Sequence, residues 1–370
     1  MMDGPLLMEN VTSLFFRKIT TTQPMRPKGA RCEDVSSVMN SLQILSLFFF
    51  SLAFLLGVTG NGLVIWITGF KMKTTVNTVW FLNLSIADFI FTFFLPISIA
   101  YTAMDYHWPF GTLLCKINST VGILNMFASI FFLVVISVDR CLLVVFPVWS
   151  QNHRTPRMAT KVALTTWVLA LAMSSPALAF RDTLRTRNNT TLCYNNYAFS
   201  TNFSDPQIAS VRKMRNTVLT FTNFLCGFLF PFIIIFVCYG ILIFRLRRNQ
   251  RARSSKPYKI MCAVVLSFFC CWLPNHFFLL LRNSLDQQSS CLTLRIFRIG
   301  SPVAASLAYF SSCINPVIYV FIVRDFKNIL KSSVLSVLEM AFKEESTIPQ
   351  SRTTSVQQDE KSMMMPLESK

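Results

Sequence analysis

The sequence predicts an all-α membrane protein: a seven-transmembrane helix bundle with a short amphipathic helix after span seven. Composition is the first of three observations behind that reading. Of 370 residues, 52% are hydrophobic and only 14% charged, with a mean hydropathy of +0.47. A soluble chain carries about 25% charged residues. Second, seven windows almost free of charge each exceed the roughly 20 residues that cross about 30 Å of hydrocarbon. Third, the Lys and Arg residues between them concentrate in alternate connectors, the pattern that fixes orientation during membrane insertion.

The elements follow in order. Residues 1–41 read as an extracellular N-terminal tail. They lack the basic-then-apolar pattern of a cleavable signal, so span one is expected to act as an uncleaved signal anchor. The bundle occupies 42–322, with windows at 42–70, 77–103, 112–146, 158–180, 215–246, 257–282 and 292–322. Span three is the hardest to read, because Asp139 and Arg140 lie near its end. Connectors are short except 181–214, and no internal repeat is present. Span seven ends in "SSCINPVIYVFIVRDF", which sets a polar amide, Asn315, beside a helix breaker, Pro316. A proline inside a helix costs about 3 kcal/mol. The pair is therefore expected to form a hinge whose freed backbone groups find polar neighbours and water. Residues 323–342 read as an amphipathic helix on the membrane surface, and 343–370 as a disordered cytoplasmic tail. In that tail Ser351, Thr353, Thr354 and Ser355 are candidate phosphorylation sites.

The run "RLRRNQRARSSKPYK" at 245–259 holds seven basic residues and no acid. With "KMK" after span one and Arg154, Arg157 and Lys161 before span four, it marks the cytoplasmic side. The N-terminus is then outside and the C-terminus inside. Sequons at Asn10, Asn188, Asn189 and Asn202 fall on the outer side as glycosylation candidates. Those at Asn83 and Asn118 sit in or beside spans and read as chance. Membrane-adjacent position, rather than nucleic-acid binding, accounts for the basic run. Of eleven cysteines, Cys32, Cys115, Cys193 and Cys291 have outer, oxidising positions. Four cysteines allow three pairings.

Motifs appear in a fixed order: "GNGLVIW" at 60–66, "NLSIAD" at 83–88, Cys115, "DRC" at 139–141, Trp167, Pro231 with Tyr239, "FFCCWLP" at 268–274 and "NPVIY" at 315–319. Over nearly its whole length the chain resembles the rhodopsin-like G-protein-coupled receptors. Stretches such as "AMDYHWPFGTLLCK" and "FPVWSQNHRTPR" resemble the leukocyte chemoattractant branch, with its chemerin, formyl-peptide and chemoattractant-type prostaglandin D receptors and related orphan receptors.

The resemblance implies the following roles. Cys115 pairs with Cys193, and Cys32 with Cys291. Asn61, Asp88, Asn125, Ser129, Ser311 and Asn315 surround a sodium ion or water cluster; the bland alternative is a protonated Asp88 bonded only to its neighbours. No other cofactor is implied. Arg140 pairs with Asp139 at rest and swings toward Tyr239 and the G protein on activation. Trp272, Pro274, Pro316 and Tyr319 move with the switch, and Ile130, Pro231 and Phe268 relay it. Ligand contacts fall to Arg181, Asn223, Asn275, His276, Arg282 and Arg298.

The outer rim is basic, with Arg181, Arg185, Arg187, Arg212, Lys213, Arg215, Arg282, Arg295 and Arg298 against Asp105, Asp182, Asp205 and Asp286. Such a rim focuses anionic ligands. A ligand carboxylate on the Arg181 fork suits that charge; the alternative is that Arg181 pairs with Asp182 or a loop carbonyl. No tyrosine precedes Tyr101, which removes a sulfotyrosine clamp. The expected partners are an extracellular peptide or acidic lipid, an inhibitory heterotrimeric G protein, receptor kinases, arrestin and membrane lipid. A decoy or arrestin-biased receptor is the alternative, since Cys141 replaces the usual tyrosine. A transporter is remote, because Asp88 is the one clear mid-span acid, and no constellation suggests an enzyme.

Overall fold

The computed structural model describes residues 36–186, 188–202, 205–248, 256–285 and 291–322. All of them belong to the first of the two units into which the chain divides, 1–327 and 328–370. Among the described residues seven helices are long and apolar enough to span a membrane. Span one is α1 (Ser36–Trp66), continued by a π-helical turn, Ile67–Lys71. Spans two and three are α2 (Val76–Ala103) and α3 (Gly111–Val145). A short α4 (Pro147–His153) precedes span four, α5 (Pro156–Phe180). Span five runs through α6 (Pro206–Phe224), a second π-helical turn at Leu225–Leu229, and α7 (Phe230–Arg248). Spans six and seven are α8 (Lys256–Ser284) and α9 (Cys291–Ile322). The helix expected over 323–342 and the tail over 343–370 lie outside the described residues.

Hydrocarbon offers no partner for backbone N–H and C=O groups, so each crossing satisfies its own as a helix. Where the helices end, side chains and prolines take over. Thr75 and Thr78 form a reciprocal capping box at the start of α2, and α4, α5 and α6 each begin with proline in the first turn, where its missing N–H is harmless. The outward faces are apolar: Phe48, Phe70, Leu164, Phe236 and Leu266 are all more than 60% exposed. In water such a surface would aggregate; in lipid it matches its solvent.

Span five starts at Pro206 rather than residue 215. Hydropathy stops short there because Arg212, Lys213 and Arg215 look like loop. Asp205 nonetheless caps the helix, accepting from the Gln207 N–H at 2.8 Å, and those basic residues lie within α6. Among the described residues the bundle carries one sheet, a hairpin of β1 (Arg181–Arg185) and β2 (Thr191–Asn195), antiparallel with Thr183 opposite Cys193.

Helix α3 is the centre of the bundle, touching α2, α4, α5, α7, α8 and β1. Glycines bring the other spans close. A Cβ on Gly57 would collide with Thr92, and one on Gly60 would stand 2.9 Å from the Pro316 ring. These small residues press α1 onto α2 and onto the hinge of α9.

Candidate functional site

At mid-bundle, Asp88 is 1% exposed. A bare carboxylate at that depth is costly, and three donors from two other spans converge on it. Its Oδ1 accepts from Asn125 Nδ2 at 2.9 Å and Ser129 Oγ at 3.3 Å; its Oδ2 accepts from Asn315 Nδ2 at 2.8 Å. Ser312, which sequence reading passed over for its neighbour Ser311, donates to Asn125 Oδ1 at 3.1 Å. Asn61 donates to the Ser312 carbonyl at 2.9 Å, and its Oδ1 is buried without a partner. Ser311 instead accepts from Trp272 Nε1 at 3.0 Å. The acceptors in this bonded cluster are all oxygens, a donor set that fits a hard cation such as sodium.

From this layer an aromatic column climbs α8. Phe268 stacks on Trp272 with centroids 5.7 Å apart, and Trp272 lies 6.2 Å from His276. His276 is 1% exposed, packed on Phe228 of the π-helical turn at 5.1 Å. Ile130 and Pro231 are buried, and Pro274 lies two residues beyond Trp272, the middle of the column. Tyr319 lies on α9 with its side chain outside the described set.

At the end of α3 opposite the hairpin, the expected Asp139–Arg140 pair is replaced by another. Asp139 is gripped by both arms of Arg154, with Nε to Oδ1 at 2.7 Å and Nη2 to Oδ2 at 3.0 Å. Arg140 Nη2 donates to Asn77 Oδ1 at 2.6 Å, and Arg154 Nη2 donates to the same oxygen at 2.6 Å. The reason is geometric. Neighbours on a helix point about 100° apart and do not face each other, whereas Arg154 reaches Asp139 from the turn after α4. Tyr239 is half-buried on α7.

At the hairpin end, Arg181 leaves α5 and opens β1, half-buried, with its Nε sealed and unpartnered. Burial holds this guanidinium below its ordinary pKa, Tyr197 works against that, and the like charge of Arg282 reinforces it. Tyr101 and Tyr309 complete the surroundings. Tyr197 is pushed up by its burial, with Arg282 and Arg181 working against that. Asp182 does not pair with Arg181: its oxygens accept from the Thr183 N–H at 2.8 Å and Asn196 Nδ2 at 3.1 Å. Successive residues of a strand face opposite sides, so these two neighbours point apart.

The basic rim divides on inspection. Arg212, 1% exposed, donates to the Ser200 carbonyl at 2.9 Å. Arg215 donates to the Tyr197 carbonyl at 2.7 Å and stacks over Phe180 and Phe199. Both arginines brace the loop, and Arg185 is held by Asn189 Oδ1. Arg298, Asn223 and Asn275 are half-buried on their spans. Sequence reading missed Asn283, whose Oδ1 accepts from Asn216 and Thr217 at 3.0 and 3.1 Å and ties α8 to α6.

A disulfide joins Cys115 to Cys193 and pins the hairpin on α3. Tyr101, Tyr106 and Trp108 pack around it. Cys291 is disulfide-bonded, while its expected partner Cys32 lies outside the described residues, as do Asn10 and Arg187. Asn188, Asn189 and Asn202 are exposed at the hairpin end. Asn83 is engaged within the bundle, accepting from Trp167 Nε1 at 2.9 Å.

The family model for the seven-transmembrane receptors of the rhodopsin family matches residues 60–319. Chemerin-like receptor 1 of Sus scrofa is 46% identical over 310 residues, covering 82% of this chain and 84% of that protein. The Homo sapiens chemerin-like receptors 1 and 2 are 45% and 44% identical, covering 85% and 80% of this chain and 84% and 80% of their own lengths. With seven spans, the disulfide-pinned hairpin and this likeness together, the chain belongs to the rhodopsin family of seven-transmembrane, G-protein-coupled receptors.

Proposed function

We propose that this receptor is of the chemoattractant type, taking an extracellular peptide or acidic lipid at the hairpin end and signalling through an inhibitory G protein at the other. The observation that carries the reading is the Arg181 site. A guanidinium with a sealed, unpartnered Nε feels the like charge of Arg282 and the opposing influence of three tyrosines. An anion supplies the charge that site lacks, and a carboxylate does so with a fork-to-fork bond. The relatives' name points to the first ligand to try. Orientation rests on the basic connectors and on the exposed sequons at the hairpin end.

Ligand entry at Arg181 and Arg282 presses on the column of His276, Trp272 and Phe268. Trp272 is bonded to Ser311, so its movement reaches α9 one turn above Asn315, which holds Asp88. Loosening that layer frees α9 at Pro316 and lets α3 shift against α7, releasing Arg140 toward Tyr239 and the G protein. A sodium ion, when bound, adds a positive charge that Asp88, Ser129 and Asn61 would hold in the resting arrangement.

The test is a cyclic-AMP assay beside an arrestin assay, run over chemoattractant peptides and acidic lipids. An agonist that lowers cyclic AMP supports the reading; arrestin recruitment without a fall in cyclic AMP would favour a decoy receptor instead. For the sodium site, raising sodium should lower agonist affinity in wild type and change it little in Asp88→Asn. Equal sensitivity in both would place the ion's action elsewhere.

A further inference from the structure

Two thiols meet at the Asp139 end of the bundle, where α3 packs against α7. The packed face of α3 runs through Ile130, Leu133 and Ser137, all buried, and reaches Cys141 four residues on. The packed face of α7 runs through Pro231, Ile235 and Leu242, with Cys238 between the last two. Residues three, four and seven apart share one side of a helix. Both cysteines therefore stand on inward faces, and the Cys141 thiol is the side-chain hydrogen-bond partner of the Cys238 thiol. Each is half-buried, and neither is in a disulfide. Cys270 and Cys271, by contrast, are consecutive on one helix, and Cys313 donates to the Ala53 carbonyl at 3.1 Å. A role as a small apolar packer accounts for a cysteine alone. It does not account for two sulfurs meeting across helices beside Arg140, which precedes Cys141, and Tyr239, which follows Cys238.

We propose that hydrogen peroxide joins Cys141 to Cys238 in a reversible disulfide, and that this bond locks α3 to α7 and silences the receptor. Peroxide first oxidises one thiol to a sulfenic acid: an S–O bond forms, the O–O bond breaks and one water leaves. The second thiol attacks that sulfur, so that the S–S bond forms, the S–O bond breaks and a second water leaves. Two thiols thus lose two electrons and two protons, and one peroxide is reduced to two waters. Peroxide is small and uncharged, and Cys141 lies about one turn from the end of α3. A reducing cytosol undoes such a bond, which suits a switch and not a structural bridge. An S–S bond of about 2.05 Å leaves α3 no freedom to slide on α7. Arg140 then stays on Asn77, away from Tyr239. Silencing rests on the proposed function, in which α3 shifts against α7 to release Arg140; formation of the bond does not.

Full-length receptor in nanodiscs, treated with hydrogen peroxide, capped with N-ethylmaleimide and digested, should yield a Cys141–Cys238 linked peptide that dithiothreitol abolishes. Both thiols left open to maleimide, or either one linked to a different cysteine, would overturn the proposal in wild type alone, without recourse to any variant. Basal nucleotide exchange on added G protein should fall severalfold as the bond forms and return with dithiothreitol. In Cys141→Ser and in Cys238→Ser, peroxide should leave exchange unchanged. An equal fall in wild type and both variants would assign the loss to oxidation elsewhere and overturn the lock, and so would a formed bond with undiminished exchange. The lock also has a readout that needs no G protein: bonded receptor should unfold at a higher temperature than reduced receptor, and an unchanged temperature counts against it. A formed bond and a raised unfolding temperature, with no exchange before or after peroxide, would uphold the lock and count against G-protein signalling instead.

Discussion

Receptor carrying Arg140→Ala should bind its ligand with wild-type affinity and promote no nucleotide exchange on its G protein. Arg140 lies at the opposite end of α3 from the ligand site, so its removal leaves Arg181 and Arg282 untouched. At rest its Nη2 shares the single Asn77 Oδ1 with Arg154. Two permanently charged guanidinium groups on one oxygen form an arrangement that a modest push from α3 can undo. On the proposed function, Arg140 once released would offer its rigid donor fork to the G protein's terminal helix, and alanine offers nothing in its place. Radioligand or fluorescent-ligand binding beside a nucleotide-exchange assay checks this; exchange retained in the variant would sink the signalling assignment. Arg154→Ala should move the other way, since Asp139 and Asn77 lose the group that ties them at rest.

An agonist bearing a carboxylate should lose affinity by tens to thousands of times at Arg181→Ala. Truncating one partner of a dehydrated, hydrogen-bonded charge pair costs on the order of 2–5 kcal/mol. Arg181 meets the conditions: half-buried, sealed at Nε, and with Asp182 engaged elsewhere. Arg181→Lys keeps the charge and loses the fork, so it should recover only part of the loss. Arg185→Ala, on the exposed hairpin edge, should alter on-rate and salt dependence mildly. Amidating the agonist should weaken it at wild type and hardly at Arg181→Ala. Equal weakening at both would mean that the carboxylate is read by some other residue.

The spans were legible because the bilayer imposes length and apolarity on each of them. The Asp88 layer was legible because a buried carboxylate must find donors, and Asn125, Ser129 and Asn315 stand in the motifs that supply them. Ser312 escaped because adjacent serines give no sign of which one faces inward until the tilt of α9 is known. Arg154 escaped for a related reason: sequence adjacency favoured Arg140, while the partner of Asp139 depends on how α4 folds back. Arg212 misled in the other direction. Counting charges treats each arginine as solvated, yet this one is sealed against a loop carbonyl. The hairpin hid in "RDTLR" and "TLCYN", strands too short and too polar to stand out from the loop that holds them.

The π-helical turn at Leu225–Leu229 sets the phase of span five. It fits one residue more than a regular turn, beside Gly227, where a Cβ would come 3.1 Å from Met126. Everything on α6 is thereby rotated about 100° from where an unbroken α-helix rising from α7 would carry it. The azimuth of Arg212 toward Ser200, of Arg215 toward Tyr197 and of Asn216 toward Asn283 all depend on that single step. Shortening the turn by one residue, as in deletion of Cys226, would leave every side chain chemically intact and aim all three at the wrong neighbours. The mouth of the receptor is thus indexed from within the membrane, like a dial set by one tooth of its gear.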